Sequence, residues 1–170
     1  MKILSKEKNV LIRKLIGLGS AILCLLLMFL KFINYTSISE VTNSNSIIWD
    51  DGISLFSLLF SDKAEVLATP VSYLREIFVY GNVIMWISFI LVCISIIVLG
   101  GGIFFKKSIA SKVGSIILVS SMVLLFTVSF DKYHIGNTVM YLDVFTWGFW
   151  LMVIISAIGL YSTSTLKDSK

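Results

Sequence analysis

Apolar residues gather in four long unbroken runs, separated by polar stretches of very unequal length. The runs cover residues 15–30, 83–105, 113–130 and 144–161, with Val10 as an alternative start for the first. None of the four contains Asp, Glu, Lys, Arg or His. A bilayer hydrocarbon core of about 30 Å requires roughly 20 apolar residues in a helix. The predicted fold is therefore an all-α membrane protein, one domain over residues 1–170 with four transmembrane helices.

The connections carry a different pattern. Residues 31–82 form a long loop, predicted to lie outside the cell, while the other two connections are short. Within it, Asp51-Gly52 stands between the apolar groups Ile47, Ile48, Trp49 and Ile53, Leu55, Phe56. Asp-Gly suits the positive-φ positions of a type I′ turn, so a small β-hairpin is expected there. The alternation after the turn is imperfect, and a short interfacial helix over residues 53–60 is the competing reading. Further on, Thr69 and Pro70 have the chemistry of a helix N-cap and first helical position. Val71, Leu74, Ile77 and Phe78 follow at helical spacing, which predicts a helix lying on the outer leaflet or extending the second span.

Composition supports the membrane reading and charge orients it. Hydrophobic residues make up 57% of the 170 and charged residues only 14%. Soluble domains average roughly 45–50% and about 25%. Ten Lys/Arg and two acids, Glu7 and Asp168, fall in the N-terminal arm, the 106–112 turn and the C-terminal tail. The long loop and the 131–143 turn hold four cations (Lys31, Lys63, Arg75, Lys132) against eight acids. Cations accumulate on the cytoplasmic side, so both termini are expected there, in a cell-membrane protein. That split accounts for the net charge of +4 without a nucleic-acid partner. The first run follows a basic arm, but it is longer than a signal-peptide h-region and lacks an A-x-A-like site, so an uncleaved helix is expected.

Aromatic rings favour the depth of the headgroups. Tyr80 and Trp86 are placed at the outer end of the second span, and Tyr141, Phe145, Trp147 and Trp150 at that of the fourth. Small residues recur at close spacing: Gly17 with Ala21, Ser111 with Ser115, Ser156 with Gly159, and the triplet Gly100-Gly101-Gly102. They would let helices approach closely. Cys24 and Cys93 lie inside apolar runs, where they read as small packing residues.

The search for chemistry returns little. His134 sits in a short turn with Asp131 and Asp143 nearby, at a spacing that matches no usual metal site. Asp50 and Asp51 are adjacent carboxylates, which on an extended chain point apart. No nucleophile elbow, phosphate loop, HExxH or CxxC occurs. No metal, cofactor or catalytic residue is expected. The charge-free runs also argue against a self-contained pump, which needs an intramembrane charge to carry its coupling ion.

Trp49-x-x-Gly52-x-x-Leu55-Phe56 in the long loop, together with the order span, long loop, span, short turn, span, short turn, span, resembles the claudin-like four-helix membrane proteins. The GISLF segment and GFWLMVIISAIGLY are similar to small four-span proteins of low-GC Gram-positive bacteria. The resemblance implies the four-helix fold; the two loop cysteines of the claudins have no counterpart here. The expected function is that of a non-enzymatic scaffold or interaction partner working through the outer loop. Trp49, Ile53, Leu55, Phe56 and Phe60 are the contact candidates, since such an apolar set needs a cover. Either a membrane-protein partner or a second copy could supply it, or the set packs on the loop and helix tops themselves. The alternative function is an accessory subunit of a membrane transport or channel complex.

Overall fold

Four stretches of the chain combine a high density of straight-chain and branched apolar residues with no internal proline, and each forms one continuous helix. The computed structural model describes residues 2–33, 53–60, 81–127 and 145–166. The long helices are α1 (Lys2–Leu27), α3 (Gly81–Phe104), α4 (Ser108–Thr127) and α5 (Trp147–Ser164). The short elements are β1 (Lys31–Ile33), β2 (Ile53–Ser54) and α2 (Leu55–Phe60). All four long helices are long and apolar enough to cross a membrane, over Glu7–Leu27, Val83–Phe104, Ser108–Phe126 and Trp147–Ser164. The protein is thus a mostly helical, multi-pass membrane protein.

Helix ends depart from the apolar runs for local reasons. The basic N-terminal arm is itself helical, so α1 starts at Lys2. α4 begins at Ser108, five residues before the run at 113, because Lys106 takes a left-handed φ of 56° that ends α3 and lets the chain restart at once. Lys112 is thereby drawn into a helix. α5 runs on past residue 161 through Ser162, Thr163 and Ser164. Ser164 Oγ donates to Tyr161 O at 2.9 Å and Thr163 Oγ1 to Gly159 O at 3.1 Å, so these polar side chains bond to their own helix instead of ending it.

Packing divides the chain into two compact units. One comprises Met1–Leu25, Ser88–Val123 and Met152–Lys170; the other comprises Leu26–Ile87 and Leu124–Leu151. Beside Ser20, Gly114 and Ser121, the buried positions of the first unit's helices fall in stripes spaced alternately by three and four residues. They are Lys14, Gly17, Ala21 and Cys24 on α1, Ser88, Val92, Ser95, Leu99 and Gly102 on α3, Ser108, Ser111, Ser115, Leu118 and Met122 on α4, and Met152, Ser156, Gly159 and Thr163 on α5. This is the spacing of helices that meet along one seam with knobs set into holes. Large side chains such as Ile97, Ile109, Ile116 and Ile154 are exposed, as lipid-facing positions require.

The hairpin expected across Asp51-Gly52 is not supported. Ile53–Ser54 pairs antiparallel with Lys31–Ile33, Lys31 opposite Ser54 and Ile33 opposite Ile53 with a bulge between. Leu55 and Phe56, expected on a strand, are instead the first residues of α2. Ser54 caps that helix: the Ser57 N–H donates to Ser54 Oγ at 3.0 Å, and the two hydroxyls are 2.8 Å apart. The helical turn also brings Leu55 and Leu59, four residues apart, to one buried face. Ile47, Ile48, Trp49, Asp51 and Gly52 lie outside the described residues, as does the expected helix after Pro70.

Candidate functional site

Two places in the molecule gather chemistry. The first is the aromatic cluster of the second unit, built where α2 meets the residues that follow α1 and the first turns of α3. The Phe56 amide donates to Met28 O at 3.0 Å, tying the start of α2 to the end of α1. Phe56 stacks on Phe29 with centroids 4.3 Å apart, and one helical turn on it meets Phe60, again at 4.3 Å. Phe60 then makes an edge contact with Trp86 at 4.9 Å. Offset and edge arrangements of this kind stabilise by about 0.5–1.5 kcal/mol beyond the area they bury.

The structure sorts the loop's candidate residues. Leu55 and Leu59 are buried, Phe56 is half-buried and Phe60 is 44% exposed. Ile53 belongs to β2, and Trp49 lies outside the described residues. So Phe56 and Phe60 come together, and of the three candidates whose exposure is described, Leu55, Phe56 and Phe60, the last turns a substantial surface outward. A second ring group in the same unit joins Phe126, Phe145, Phe149 and Trp150; the Phe145 and Phe149 centroids are 4.1 Å apart. Phe145 and Phe149 are fully packed, whereas Trp147 is 59% exposed. Of the rings expected at the headgroups, Trp147 is exposed and Phe145 is part of the core. Tyr80 and Tyr141 lie outside the described residues.

The second place is Lys14 in the first unit, only 4% exposed. Sequence reading set it with the solvated basic arm. Its Nζ instead donates to Gly102 O at 3.0 Å. Gly102 stands in the last turn of α3, where carbonyls lack intrahelical partners and the helix dipole is negative. The neighbouring carbonyls are already engaged, Gly101 O by the Phe105 amide and Ile103 O by the Lys106 amide. Lys14 therefore caps α3 from another helix. The one available signal was its place at the head of the small-residue stripe Lys14, Gly17, Ala21, Cys24.

The polar side chains of the rest of the first unit's seam are satisfied, Ser88 apart. Ser95, Ser121 and Ser156 each donate to the carbonyl three residues back, at 2.6–2.8 Å, and Ser20 to Ile16 O at 2.8 Å. Ser115 reaches across to Gly159 O at 3.5 Å, and the Cys24 thiol to Met152 O at 3.5 Å. Among the described residues, Ser88 Oγ is the one buried side-chain oxygen or nitrogen without a hydrogen-bond partner. Close approach depends on the glycines expected from the sequence, though not on all of them. A Cβ on Gly17 would stand 2.7 Å from Thr163 Cγ2, one on Gly159 2.9 Å from Ser20 Cβ, and one on Gly102 2.8 Å from the Ser111 amide nitrogen. Gly100 and Gly101 face open space, and Gly114, against Leu99 at 2.7 Å, is a further contact point.

Among the described residues, no three His, Cys, Asp or Glu side chains come together as metal ligands. Asp50, Asp51, Asp131, His134 and Asp143 lie outside them. No protein-family model matches the chain, and neither a curated protein nor a solved structure matches it. Of the claudin-like resemblance, the four-span layout is what stands.

Proposed function

We propose that this chain is a non-enzymatic protein of the cell membrane, with both termini cytoplasmic, that acts as a scaffold or interaction partner through its outer loop. The observation that carries this reading is the division of labour inside α2. Leu55 and Leu59 anchor the segment by burial, while Phe60, held between Phe56 and Trp86, keeps 44% of its surface open. A loop segment fixed to the span tops presents its outward ring in one orientation, and a preorganised aromatic loses little entropy on binding. The orientation is supported by the ten cations on the connections and termini assigned to the cytoplasm. A claudin-like role has in its favour the layout and the Trp49-x-x-Gly52-x-x-Leu55-Phe56 element.

A photo-reactive phenylalanine analogue at position 60, irradiated in intact cells, tests the reading. A cross-link to one membrane or envelope protein, or to a second copy of the chain, is the expected result. Adducts with lipid alone would overturn it. If the captured protein is a stoichiometric transporter or channel subunit, the accessory-subunit reading replaces the scaffold. Ion flux by the purified protein alone in liposomes would overturn both.

A further inference from the structure

One end of the first unit is assembled from three separated parts of the chain. Arg13 and Lys14 on α1 are joined to the end of α5, where Arg13 Nη1 donates to Thr165 Oγ1 and Ser162 Oγ donates to Arg13 O at 3.1 Å. They are joined to the end of α3 by Lys14 Nζ on Gly102 O. The turn to α4 closes on itself through Ser111 Oγ, which donates to Lys107 O at 3.5 Å. Two stretches that carry cations among the described residues, α1 and the 106–112 turn, are thereby held at one place, with the end of α5 beside them.

Lys8, Arg13, Lys106 and Lys107 are exposed there and Lys112 is half-buried, while Glu7 is the one acid among the described residues. Beside the lysines of the turn stand two large rings, Phe104 at 79% and Phe105 at 69% exposure, in edge contact at 5.1 Å. Ile109 is exposed just beyond them. Rings this open at the end of a membrane-length helix belong in the boundary between acyl chains and headgroups. The adjacent ammonium and guanidinium groups then stand at phosphate depth. Three carbonyls of the last turn of α3 are occupied, Gly101 O and Ile103 O by amides and Gly102 O by Lys14, which lessens their repulsion of an anion. Arg13 is already oriented by Thr165, and a guanidinium so held still has donors to offer.

From this juxtaposition we infer that the end of the first unit is a binding site for the phosphate headgroups of anionic phospholipids. Arg13, Lys106, Lys107 and Lys112 contact the phosphates, Phe104 and Phe105 insert beside them, and Lys14 positions the site without touching the ligand. The inference requires only that the four helices cross a bilayer; it does not rest on the outer-loop reading. A soluble anion would satisfy the cations and leave the two rings in water, which is why a lipid is the occupant.

The test uses the full chain purified in mild detergent, titrated with phosphatidylglycerol or phosphatidylcholine of matched acyl chains and read by native mass spectrometry. Wild type is expected to retain phosphatidylglycerol at about tenfold lower lipid concentration, and increasing salt should erode that preference. The triple variant R13Q/K106Q/K107Q should bind phosphatidylglycerol on the order of a hundredfold more weakly. The variant F104S/F105S should weaken both lipids. Equal retention of the two lipids by wild type would overturn the inference. So would a triple variant, folded by circular dichroism, that keeps the preference. Should that variant not fold, the salt titration of wild type decides: a salt-independent preference rejects the site.

Discussion

In the first unit the helices meet through Gly17, Ser95, Ser111, Gly114, Ser156 and Gly159 interleaved with Leu99, Leu118 and Met152, while many other bulky residues of the same helices, such as Ile97, Ile109, Ile116 and Ile154, are exposed. In the second, Met28, Met85, Leu125, Phe145 and Phe149 fill the interior. Lipid explains the contrast. Acyl chains solvate a leucine as well as another helix does, so helices gain by approaching closely through small residues, where backbone dispersion contacts and short polar bonds accumulate. The second unit also has to hold β1, β2 and α2, short elements that bond too little backbone to persist alone. Large rings tie them down through area and shape.

The contrast is broken by changing side-chain size in opposite directions. Shrinking a residue in the second unit should do the most harm. Phe149→Ala removes a fully buried ring in contact with Phe145, Phe126 and Trp150, and should destabilise by about 3 kcal/mol in reversible detergent unfolding. Enlarging one in the first unit comes next. Gly114→Leu drives a side chain into Leu99, whose backbone nitrogen would stand 3.1 Å from the new Cβ, and a loss of about 2 kcal/mol is expected in the same assay. A Gly114→Leu variant as stable as wild type would mean the helices are not held in close contact at this point.

Lys14 sharpens the comparison, because it is the one charge within the small-residue seam. Lys14→Met removes the cation and leaves Gly102 O without its donor, which should cost about 1.5 kcal/mol. Hydrogen exchange localised to the last turn of α3 reads that loss apart from general destabilisation. The smallest effect is expected at Ser95. Its hydroxyl donates to Val92 O at 2.7 Å within its own helix, so Ser95→Ala should stay within about 0.5 kcal/mol of wild type. A cost above about 2 kcal/mol would show that the hydroxyl bridges helices.

The four spans were legible because a run of apolar residues long enough for lipid has few other uses. Which face of each span is buried was not, since hydrophobicity stops separating inside from outside once the solvent is hydrocarbon. Ile97 and Leu99 are equally apolar, yet one is exposed and the other sealed. Residue size carries that information, and the pairs Gly17 with Ala21 and Ser156 with Gly159 caught part of it. The full three-and-four stripe also includes Val92, Leu118 and Met122, which do not stand out by type. In the loop, Asp51-Gly52 outweighed Ser54 because a two-residue turn is a conspicuous signal and a serine N-cap is a common one. Lys14 was misread by neighbourhood: among Lys2, Lys6, Lys8 and Arg13 it has the composition of an aqueous arm and the helical phase of the seam. Phe60 was singled out as part of an apolar set, but its ring partner Trp86 lies 26 residues on, beyond the reach of any local pattern.

The alternation of three and four along each seam also bears on how this chain can change length over generations. One residue inserted between Ser95 and Leu99 would turn the rest of α3 by about 100°. Val98 would then occupy the seat of Leu99, and Gly101 that of Gly102, away from Lys14 and Ser111. Seven inserted residues would restore the phase, at the cost of a helix about 10 Å too long for its bilayer. Insertions and deletions are accordingly confined to the connections, where neither phase nor thickness constrains them, and descendants of this gene should diverge in loop length while keeping their spans in frame.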